Sequence, residues 1–147
     1  MERHLLDRKL STKCSIRVRF SDVDAMGIVW HGNYIKYLED GREAFGTEHG
    51  MTYVQIYHNG YLTPIVSSSM EHKSPVRYGD ELEIITNLID CKAAKIIHHY
   101  SINNLTTGKL AAVAKTMQVF TNSEGELQMY APEFYLSWKN EAKWEDL

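Results

Sequence analysis

The order of apolar and polar residues along the chain predicts an early strand followed by one long helix. Over residues 15–20 the two kinds of residue alternate strictly, which places Ile16, Val18 and Phe20 on one face of a half-buried strand. Between residues 34 and 45 the apolar residues recur at helical spacing instead, and charged residues fill positions between them. This second pattern predicts an amphipathic helix of about four turns.

Glycine and asparagine residues around this helix set its expected limits and its packing. Asn33 stands where an N-cap is expected, and Gly46 and Gly50 are candidate C-terminal stops. Gly41 lies on the apolar stripe, where glycine costs about 1 kcal/mol relative to alanine. We therefore expect the helix to approach a packed surface closely at Gly41. Residues 1–12, which are mostly polar, are expected to be loosely ordered.

The remainder of the chain has the pattern of strands joined by short turns. Because such turns are too short for parallel crossovers, the later strands are expected to form an antiparallel meander. One helix against one curled antiparallel sheet is an α+β arrangement. The sheet edges need covering, which homo-oligomerisation would provide. The predicted elements are a short helix within 51–60, strands over 61–72, 82–88, 95–102 and 110–121, and a helix from Pro132 to Trp138.

The composition is that of an ordinary globular protein. A length of 147 residues fits a single domain over residues 1–147, and a net charge of −3 gives no reason to expect nucleic acid as a partner. Two cysteines without CxxC spacing fit reduced thiols in the cytoplasm. No apolar run approaches the roughly 18 residues of a membrane span, and the N-terminus lacks the apolar region of a signal peptide. We therefore expect a cytoplasmic protein without a membrane span.

The stretch from Phe20 to Glu43, FSDVDAMGIVWHGNYIKYLEDGRE, carries a recognisable motif. It has an acidic pair, a glycine, Val-Trp, a histidine and an Asn-Tyr pair that opens the helix. A second block agrees over residues 63–67 and 75–80. In both blocks the chain resembles the hotdog-fold acyl-CoA thioesterases of the 4-hydroxybenzoyl-CoA thioesterase family. The resemblance covers about residues 14–122 and leaves 123–147 as a C-terminal extension. The motif residues are Asp22, Asp24, Gly27, Val29, Trp30, His31, Asn33 and Tyr34.

This resemblance implies a fold, an assembly and an activity. Members of the family wrap a five-stranded antiparallel sheet around one long helix. Their subunits pair into homodimers with a continuous sheet, often two dimers to a homotetramer, and the active sites lie between subunits. The implied reaction is hydrolysis of an acyl-CoA thioester to the free acid and coenzyme A, without a cofactor.

The resemblance also implies roles for residues of the loop. Asp24 is the implied catalytic carboxylate, acting either as a nucleophile that forms an anhydride or as a general base that deprotonates water. We expect Asp22, two residues earlier, to orient the loop. The backbone N–H of His31, at the positive end of the helix, is implied to polarise the thioester carbonyl. The His31 side chain is a further candidate, for orienting a water or the Asp24 carboxylate.

Four further residues are candidates for substrate binding. Trp30 and Tyr34 would line the acyl pocket, although core packing explains both residues at least as well. Lys92 and Lys95, in a turn between two strands, match positions where relatives place basic residues near the coenzyme A nucleotide. Solvated lysines on a turn are the plainer alternative. Aromatic, short-chain and medium-chain acyl groups all remain candidates.

Other chemistries have less support in the sequence. His98 and His99 are adjacent on a predicted strand and point to opposite faces, and no HExxH or Cys/His spacing occurs, so no metal site is predicted. No GxSxG motif supports a serine hydrolase. Three alternatives stay open, namely an acyl-carrier-protein thioesterase, a hotdog-fold hydratase or dehydratase, whose motifs are absent, and a non-catalytic acyl-CoA-binding module.

Overall fold

Residues 4–147 are described by the structure, a computed structural model, and they form an antiparallel sheet around a long helix. Two single-turn 3-10 helices, Phe20–Asp22 and His31–Asn33, lie in the loop between the first strand and that helix. In chain order the other elements are β1 (Leu5–Arg17), α1 (Tyr34–His49), α2 (Tyr53–His58), β2 (Tyr61–Leu62), β3 (Ile65–His72), β4 (Glu81–Cys91), β5 (Lys95–Asn104), β6 (Lys109–Val119), β7 (Thr121–Asn122), α3 (Glu133–Glu141) and β8 (Glu145–Asp146).

The main sheet has the strand order β3-β6-β5-β4-β1-β8, and every neighbouring pair is antiparallel. Strands β4, β5 and β6 form the predicted meander, whereas β3 pairs with β6 instead of its neighbour in sequence. Five long strands make up the body of the sheet, and the two-residue β8 adds to the edge beyond β1. The predicted α+β class, with one long helix against a curled antiparallel sheet, is confirmed.

Helix α1 packs across one face of the sheet, against β1 and β4. In its first half Tyr37 and Leu38 are fully buried against residues of β4 such as Ile84. In its second half Phe45 joins a separate cluster that includes Tyr135 of α3. Burial of each such side chain contributes roughly 1.5–3 kcal/mol. The helix is therefore fixed along its length, and with it the position of its N-terminus.

Gly41 is the point of closest approach that the sequence predicts between α1 and the sheet. A Cβ added at Gly41 would overlap Thr86 Oγ1 and lie 3.0 Å from Ile84 Cγ2. The prediction of close packing is thus confirmed, because any side chain larger than hydrogen would push the helix away from β4. The helix ends as predicted at Gly50, which takes the left-handed conformation with φ 70°.

The expectation that residues 1–12 are loosely ordered is wrong for the part of this segment that the structure describes. Strand β1 already begins at Leu5, and Lys9 and Thr12 lie opposite Ile89 and Thr86 of β4. Leu10 and Thr12 are buried. The backbone hydrogen bonds of this segment come from a strand some 80 residues further along the chain, so local polarity did not reveal them. Residues 1–3 lie outside the described residues.

Two other strand predictions need correction. The first strand ends at Arg17, and the following turn of 3-10 helix leaves the Phe20 side chain 78% exposed, not buried beside Val18. The single strand predicted over residues 61–72 is two strands. Pro64 lies in the break between them, where its missing N–H leaves no ladder position unpaired.

Candidate active site

The loop between β1 and α1 is organised around Asp22. The residue is only 5% exposed, and its carboxylate accepts hydrogen bonds from the Arg19 amide and the Tyr37 hydroxyl, each at 3.0 Å. Its backbone carbonyl accepts from the Trp30 amide at 3.1 Å and from Asn33 Nδ2 at 2.8 Å. One residue thus joins both ends of the loop to the first turn of α1, in agreement with an orienting role for Asp22.

Asn33 stands at the predicted N-cap position but does not cap the helix with its side chain. A capping side chain accepts a hydrogen bond from a following backbone amide. The Asn33 residue is instead helical, with φ −77° and ψ −18°, and its side-chain nitrogen donates to the Asp22 carbonyl. The helix begins before Asn33, because the 3-10 turn that starts at His31 runs directly into α1.

Asp24 lies at the start of a tight hairpin within the loop. Val23 and Val29 form an antiparallel bridge, the Asp24 amide donates to the Ile28 carbonyl at 2.8 Å, and Gly27 turns the chain with φ 77°. The Asp24 carboxylate accepts a hydrogen bond from the Met26 amide through Oδ1, at 2.8 Å. Among residues 4–147 its second oxygen, Oδ2, has no hydrogen-bond partner. The half-buried Asp24 therefore keeps one carboxylate oxygen available, whereas the carboxylate of Asp22 is tied to the loop and to α1.

The start of the helix supplies backbone donors seven and eight residues after Asp24. Trp30 is extended, and the chain turns into helical geometry at His31. The first amides of a helix have no acceptor within that helix, and they form its positive end. The amides of His31 and Gly32 occupy these positions. They are suited to hold an oxygen on which negative charge develops.

The Trp30 side chain lies against the start of the helix. Trp30 is 51% exposed, and its ring centroid is 5.0 Å from that of His31, which is also an exposed residue. A Cβ added at Gly32 would overlap atoms of the Trp30 ring, so the indole packs directly over a residue without a side chain. Among residues 4–147 no hydrogen bond joins the side chains of His31 and Asp24. A catalytic role for the His31 ring stays a prediction.

Tyr34, the other aromatic candidate, lies in the core. It is 3% exposed, and its ring centroid is 5.8 Å from that of Tyr37 and 4.7 Å from that of His72. Burial raises the pKa of the Tyr34 hydroxyl above its usual range. Its placement matches the packing alternative, and a contribution to substrate binding stays a prediction.

Lys92 and Lys95 are not brought together with Asp24 within one chain. They lie in and beside the turn between β4 and β5, and the Lys92 amide donates to the carbonyl of His4, next to the start of β1. The loop with Asp24 follows the other end of β1, whose 13 residues span roughly 40 Å at about 3.3 Å per residue. A role for these lysines in binding the nucleotide of coenzyme A stays a prediction.

A cavity of about 360 Å³ lies beneath the second half of α1, and sequence reasoning did not find it. Its walls come from α1, α2, the inner face of the sheet and α3, with Phe45, Ile56 and Leu88 among the apolar residues that line it. Its polar residues include Arg42 of α1 and His98 of β5, for which the sequence analysis predicted no metal-binding role. The signal for His98 was its place on the inner face of β5, which follows from the two-residue period of the strand.

Two kinds of feature are missing from residues 4–147. No group of three or more His, Cys, Asp or Glu side chains there is arranged to hold a metal ion. No helix in this part of the chain is both long enough and apolar enough to cross a membrane.

Comparison with known proteins finds relatives that are named as thioesterases. The chain is 32% identical over 113 residues to the putative acyl-CoA thioesterase YneP of Bacillus subtilis (strain 168). The matched region covers 77% of this chain and 81% of that protein. It is 28% identical over 116 residues to 4-hydroxybenzoyl-CoA thioesterase from Pseudomonas sp. (strain CBS-3), covering 75% and 82% of the two chains.

A solved structure extends this likeness to three dimensions. It is a mutant of 4-hydroxybenzoyl-CoA thioesterase complexed with 4-hydroxybenzoyl-CoA, and it matches with a TM-score of 0.76 at 26% identity over 87% of this chain and 97% of that one. The profile of the thioesterase-like superfamily matches residues 18–139, which include the loop, α1, the sheet from β2 to β7 and most of α3. The chain therefore belongs to the thioesterase-like superfamily and has its hotdog fold.

Proposed function

We propose that this protein is an acyl-CoA thioesterase in which Asp24 is the catalytic carboxylate and the His31 amide polarises the thioester carbonyl. The observation that carries this proposal is the contrast between the two loop aspartates. Asp22 is buried and bonded to Arg19 and Tyr37, whereas Asp24 is held by one oxygen and offers the other. The names of the relatives, which are thioesterases acting on acyl-CoA, support hydrolysis as the reaction.

Two routes use these groups. In the first, Asp24 attacks the carbonyl carbon, the C–S bond breaks, coenzyme A leaves as a thiolate that takes up a proton, and water hydrolyses the resulting anhydride. In the second, Asp24 accepts a proton from a water molecule that attacks the same carbon, and the C–S bond breaks from the tetrahedral intermediate. Both routes place negative charge on the carbonyl oxygen, which the helix-opening amides stabilise.

A complete site requires a second subunit in this proposal. Strand β3 lies at one edge of the sheet, and its Ile65 and Val66 side chains are exposed. Antiparallel pairing of β3 with a second β3 would cover this edge and join the two sheets. Exposed Phe20 and Tyr78, whose rings meet edge to face at 5.9 Å, supply further apolar surface. We expect a homodimer, with a homotetramer as a second level of assembly, which sedimentation analysis will test.

A cytoplasmic location is also part of the proposal. Cys14 and Cys91 are both free. Reduced thiols are usual in the cytoplasm, so we place the enzyme there.

A panel of acyl-CoAs assayed by release of free thiol tests the proposed reaction. Asp24→Asn is expected to lower kcat by at least ~10²-fold without changing the thermal unfolding midpoint, since it removes the charge but keeps the shape. Asp7→Asn, an exposed substitution near the start of β1, is the matched control and is expected to keep full activity. Wild-type turnover by Asp24→Asn would remove the assignment.

A second variant separates the role of the His31 backbone amide from that of its side chain. His31→Phe keeps the backbone amide and a planar ring but removes the imidazole nitrogens. If the backbone alone acts, kcat falls by less than about tenfold. A loss near that of removing a general acid or base, ~10²-fold or more, assigns the ring a catalytic role.

A further inference from the structure

The cavity beneath the second half of α1 has a buried histidine on its wall that lacks a hydrogen-bond partner. His98 of β5 is only 5% exposed, and neither Nδ1 nor Nε2 of its ring has a partner among residues 4–147. The ring instead contacts aromatic neighbours, with centroids 5.3 Å from Phe45 and 5.9 Å from Tyr100. Leaving a buried polar group unsatisfied is unfavourable, so such a group on a cavity wall indicates a ligand that satisfies it.

A half-buried guanidinium on the same cavity wall is also incompletely paired. Arg42 of α1 forms no ion pair with any residue from 4 to 147. Its side-chain hydrogen bond in this part of the chain runs from Nη1 to the Tyr100 hydroxyl across 3.4 Å, which is long for such a bond. Burial, and then the charge of Arg42, lower the pKa of His98, so the guanidinium lies near the imidazole. The cavity thus has two sets of N–H donors close together.

These donors match a single carboxylate. The pKa of His98 is lowered to about 3, so the ring is neutral at physiological pH and carries one N–H, on either nitrogen. The planar guanidinium of Arg42 has a fork of N–H groups that fits a carboxylate, and such charge-assisted bonds are about twice as strong as neutral ones. A hydroxyl or an amide would leave the Arg42 charge unpaired. A doubly charged phosphate is disfavoured, because the exposed Glu39 and Glu43 also line the cavity.

The rest of the wall is suited to the apolar body of a small ligand. The volume of about 360 Å³ is within the range of roughly 300–1,000 Å³ typical of small-molecule pockets. Among the described residues that line the cavity, none belongs to the loop between β1 and α1, so its residues are distinct from Asp24 and His31. The buried apolar and aromatic residues of the wall are Phe45, Ile56, Leu88, Ile96 and Tyr135.

We infer that this cavity binds a monocarboxylate with an apolar body, whose carboxylate is held by Arg42 and His98. The inference goes beyond the proposed thioesterase function and does not require it. Free carboxylic acids are also the class of product that the proposed hydrolysis releases. A site of this kind would therefore bind product without occupying the loop that carries Asp24.

Calorimetric titration of the wild-type protein with ligands that share one carbon skeleton tests the head group. The series compares straight-chain carboxylates from butanoate to octanoate, and benzoate, with the primary amide and the alcohol of each. For at least one skeleton we expect the carboxylate to bind about tenfold or more tightly than the other two, because only the carboxylate pairs with the Arg42 charge. Failure of every carboxylate to bind, or equal binding of the amide or the alcohol, would overturn the inference.

Substitutions of Arg42 and His98 test the two proposed contacts. Arg42→Gln is expected to weaken binding of the carboxylate by about tenfold or more, and Arg42→Lys, which keeps the charge but not the fork, by less. Lys36→Gln removes the same charge from an exposed position of α1, so this matched control is expected to keep the affinity. His98→Leu replaces an unsatisfied buried group, so it is expected to fold with an unchanged or higher Tm and to bind about two- to tenfold more weakly. Unchanged affinity in either Arg42→Gln or His98→Leu would contradict the assigned site.

The Asp24→Asn variant distinguishes the cavity from the loop of the proposed active site. A carboxylate bound beside Asp24 would be repelled by its charge, so Asp24→Asn would bind it more tightly than the wild type. A carboxylate in the cavity is expected to bind equally to both proteins. Tighter binding by Asp24→Asn would place the ligand at the loop and overturn the cavity site. Because these titrations need no turnover, failure of the protein to release thiol from any acyl-CoA would overturn the proposed reaction alone.

Discussion

The Tyr37 hydroxyl donates a hydrogen bond to the Asp22 carboxylate across 3.0 Å, and both side chains are buried. This bond joins the middle of the first half of α1 to the loop that carries Asp24. Burial, and then the neighbouring carboxylate, raise the pKa of Tyr37, so the phenol stays protonated and continues to donate well above neutral pH. The position of the loop that carries the candidate carboxylate thus depends on a buried residue of the helix.

Replacement of this donor is expected to destabilise the protein. Tyr37→Phe keeps the ring in the core but leaves the buried Asp22 carboxylate with one fewer donor. We expect the free energy of unfolding to fall by about 1–3 kcal/mol, measured by urea denaturation. Tyr34→Phe is the control, because the Tyr34 hydroxyl makes no hydrogen bond to any residue from 4 to 147. Equal losses for the two variants would contradict an anchoring role for the bond to Asp22.

Gly41 offers a test of how tightly α1 packs on β4. Gly41→Ala gains up to about 1 kcal/mol of helix propensity, but its methyl group would overlap Thr86 Oγ1. Overpacking of this kind costs about 1–3 kcal/mol, so we expect a net loss of stability. Thr86→Ala removes the overlapping oxygen, and the double variant is expected to recover part of the loss. Additive effects in this double-mutant cycle would argue against direct contact.

The C-terminal segment is expected to contribute to stability through Lys139 of α3. Its Nζ lies 2.6 Å from the buried Asp90 carboxylate, which also pairs with Arg8 of β1 at 2.6 Å. Burial acts to raise the pKa of Asp90, but the hydrogen bonds and charges of Lys139 and Arg8 outweigh it, so the pKa is lowered. Asp90 therefore stabilises the folded state above its ordinary pKa, and this contribution is lost as the pH falls.

Lys139→Met removes one of the two partners while keeping an unbranched apolar stem. We expect a loss of about 1–3 kcal/mol at neutral pH and a smaller loss of stability on acidification than in the wild type. The control is Lys143→Met, at an exposed position near the end of the same segment. Chemical denaturation at pH 7 and at pH 4 measures both effects. An unchanged stability at pH 7 would mean that Arg8 alone satisfies Asp90.

The pattern of apolar and polar residues was sufficient to predict the helix and the strands that bury a single face. The helical period from Tyr34 onward and the alternation along β4 predicted α1 and the inner face of the sheet, with Leu82, Ile84, Thr86 and Leu88 all buried. The N-terminal half of β1 was missed, because its residues are mostly polar and the strand that pairs with it lies far along the chain. The loop motif selected Asp24 and His31 as candidates, but no local pattern indicated the hydrogen bond between Asp22 and Tyr37.

The cavity could not be predicted from the sequence, because its walls come from elements that lie far apart along the chain. His98 lies opposite Leu88 of β4 and against Phe45 of α1, and neither neighbour can be read from the residues around it. A pair of adjacent histidines in the sequence is as compatible with a solvated strand as with a buried site. The distinguishing property of His98, two ring nitrogens without partners, exists only once α1 covers the sheet.

This property of His98 has a consequence for stability in acid. Its pKa is lowered from an ordinary value of 6.5 to about 3 in the folded protein, chiefly by burial. Between these two values the unfolded chain binds a proton that the folded protein does not, so the free energy of unfolding falls as the pH drops from 6.5 towards 3. For one proton the slope is about 1.4 kcal/mol per pH unit. His98→Leu removes this proton uptake. Urea denaturation at successive pH values is therefore expected to show a smaller fall in the free energy of unfolding as the pH drops. His58→Gln, at an exposed position, is the control and is expected to leave the pH dependence of the free energy of unfolding unchanged. If His98→Leu and the wild type lose stability equally on acidification, His98 is already charged in the folded state.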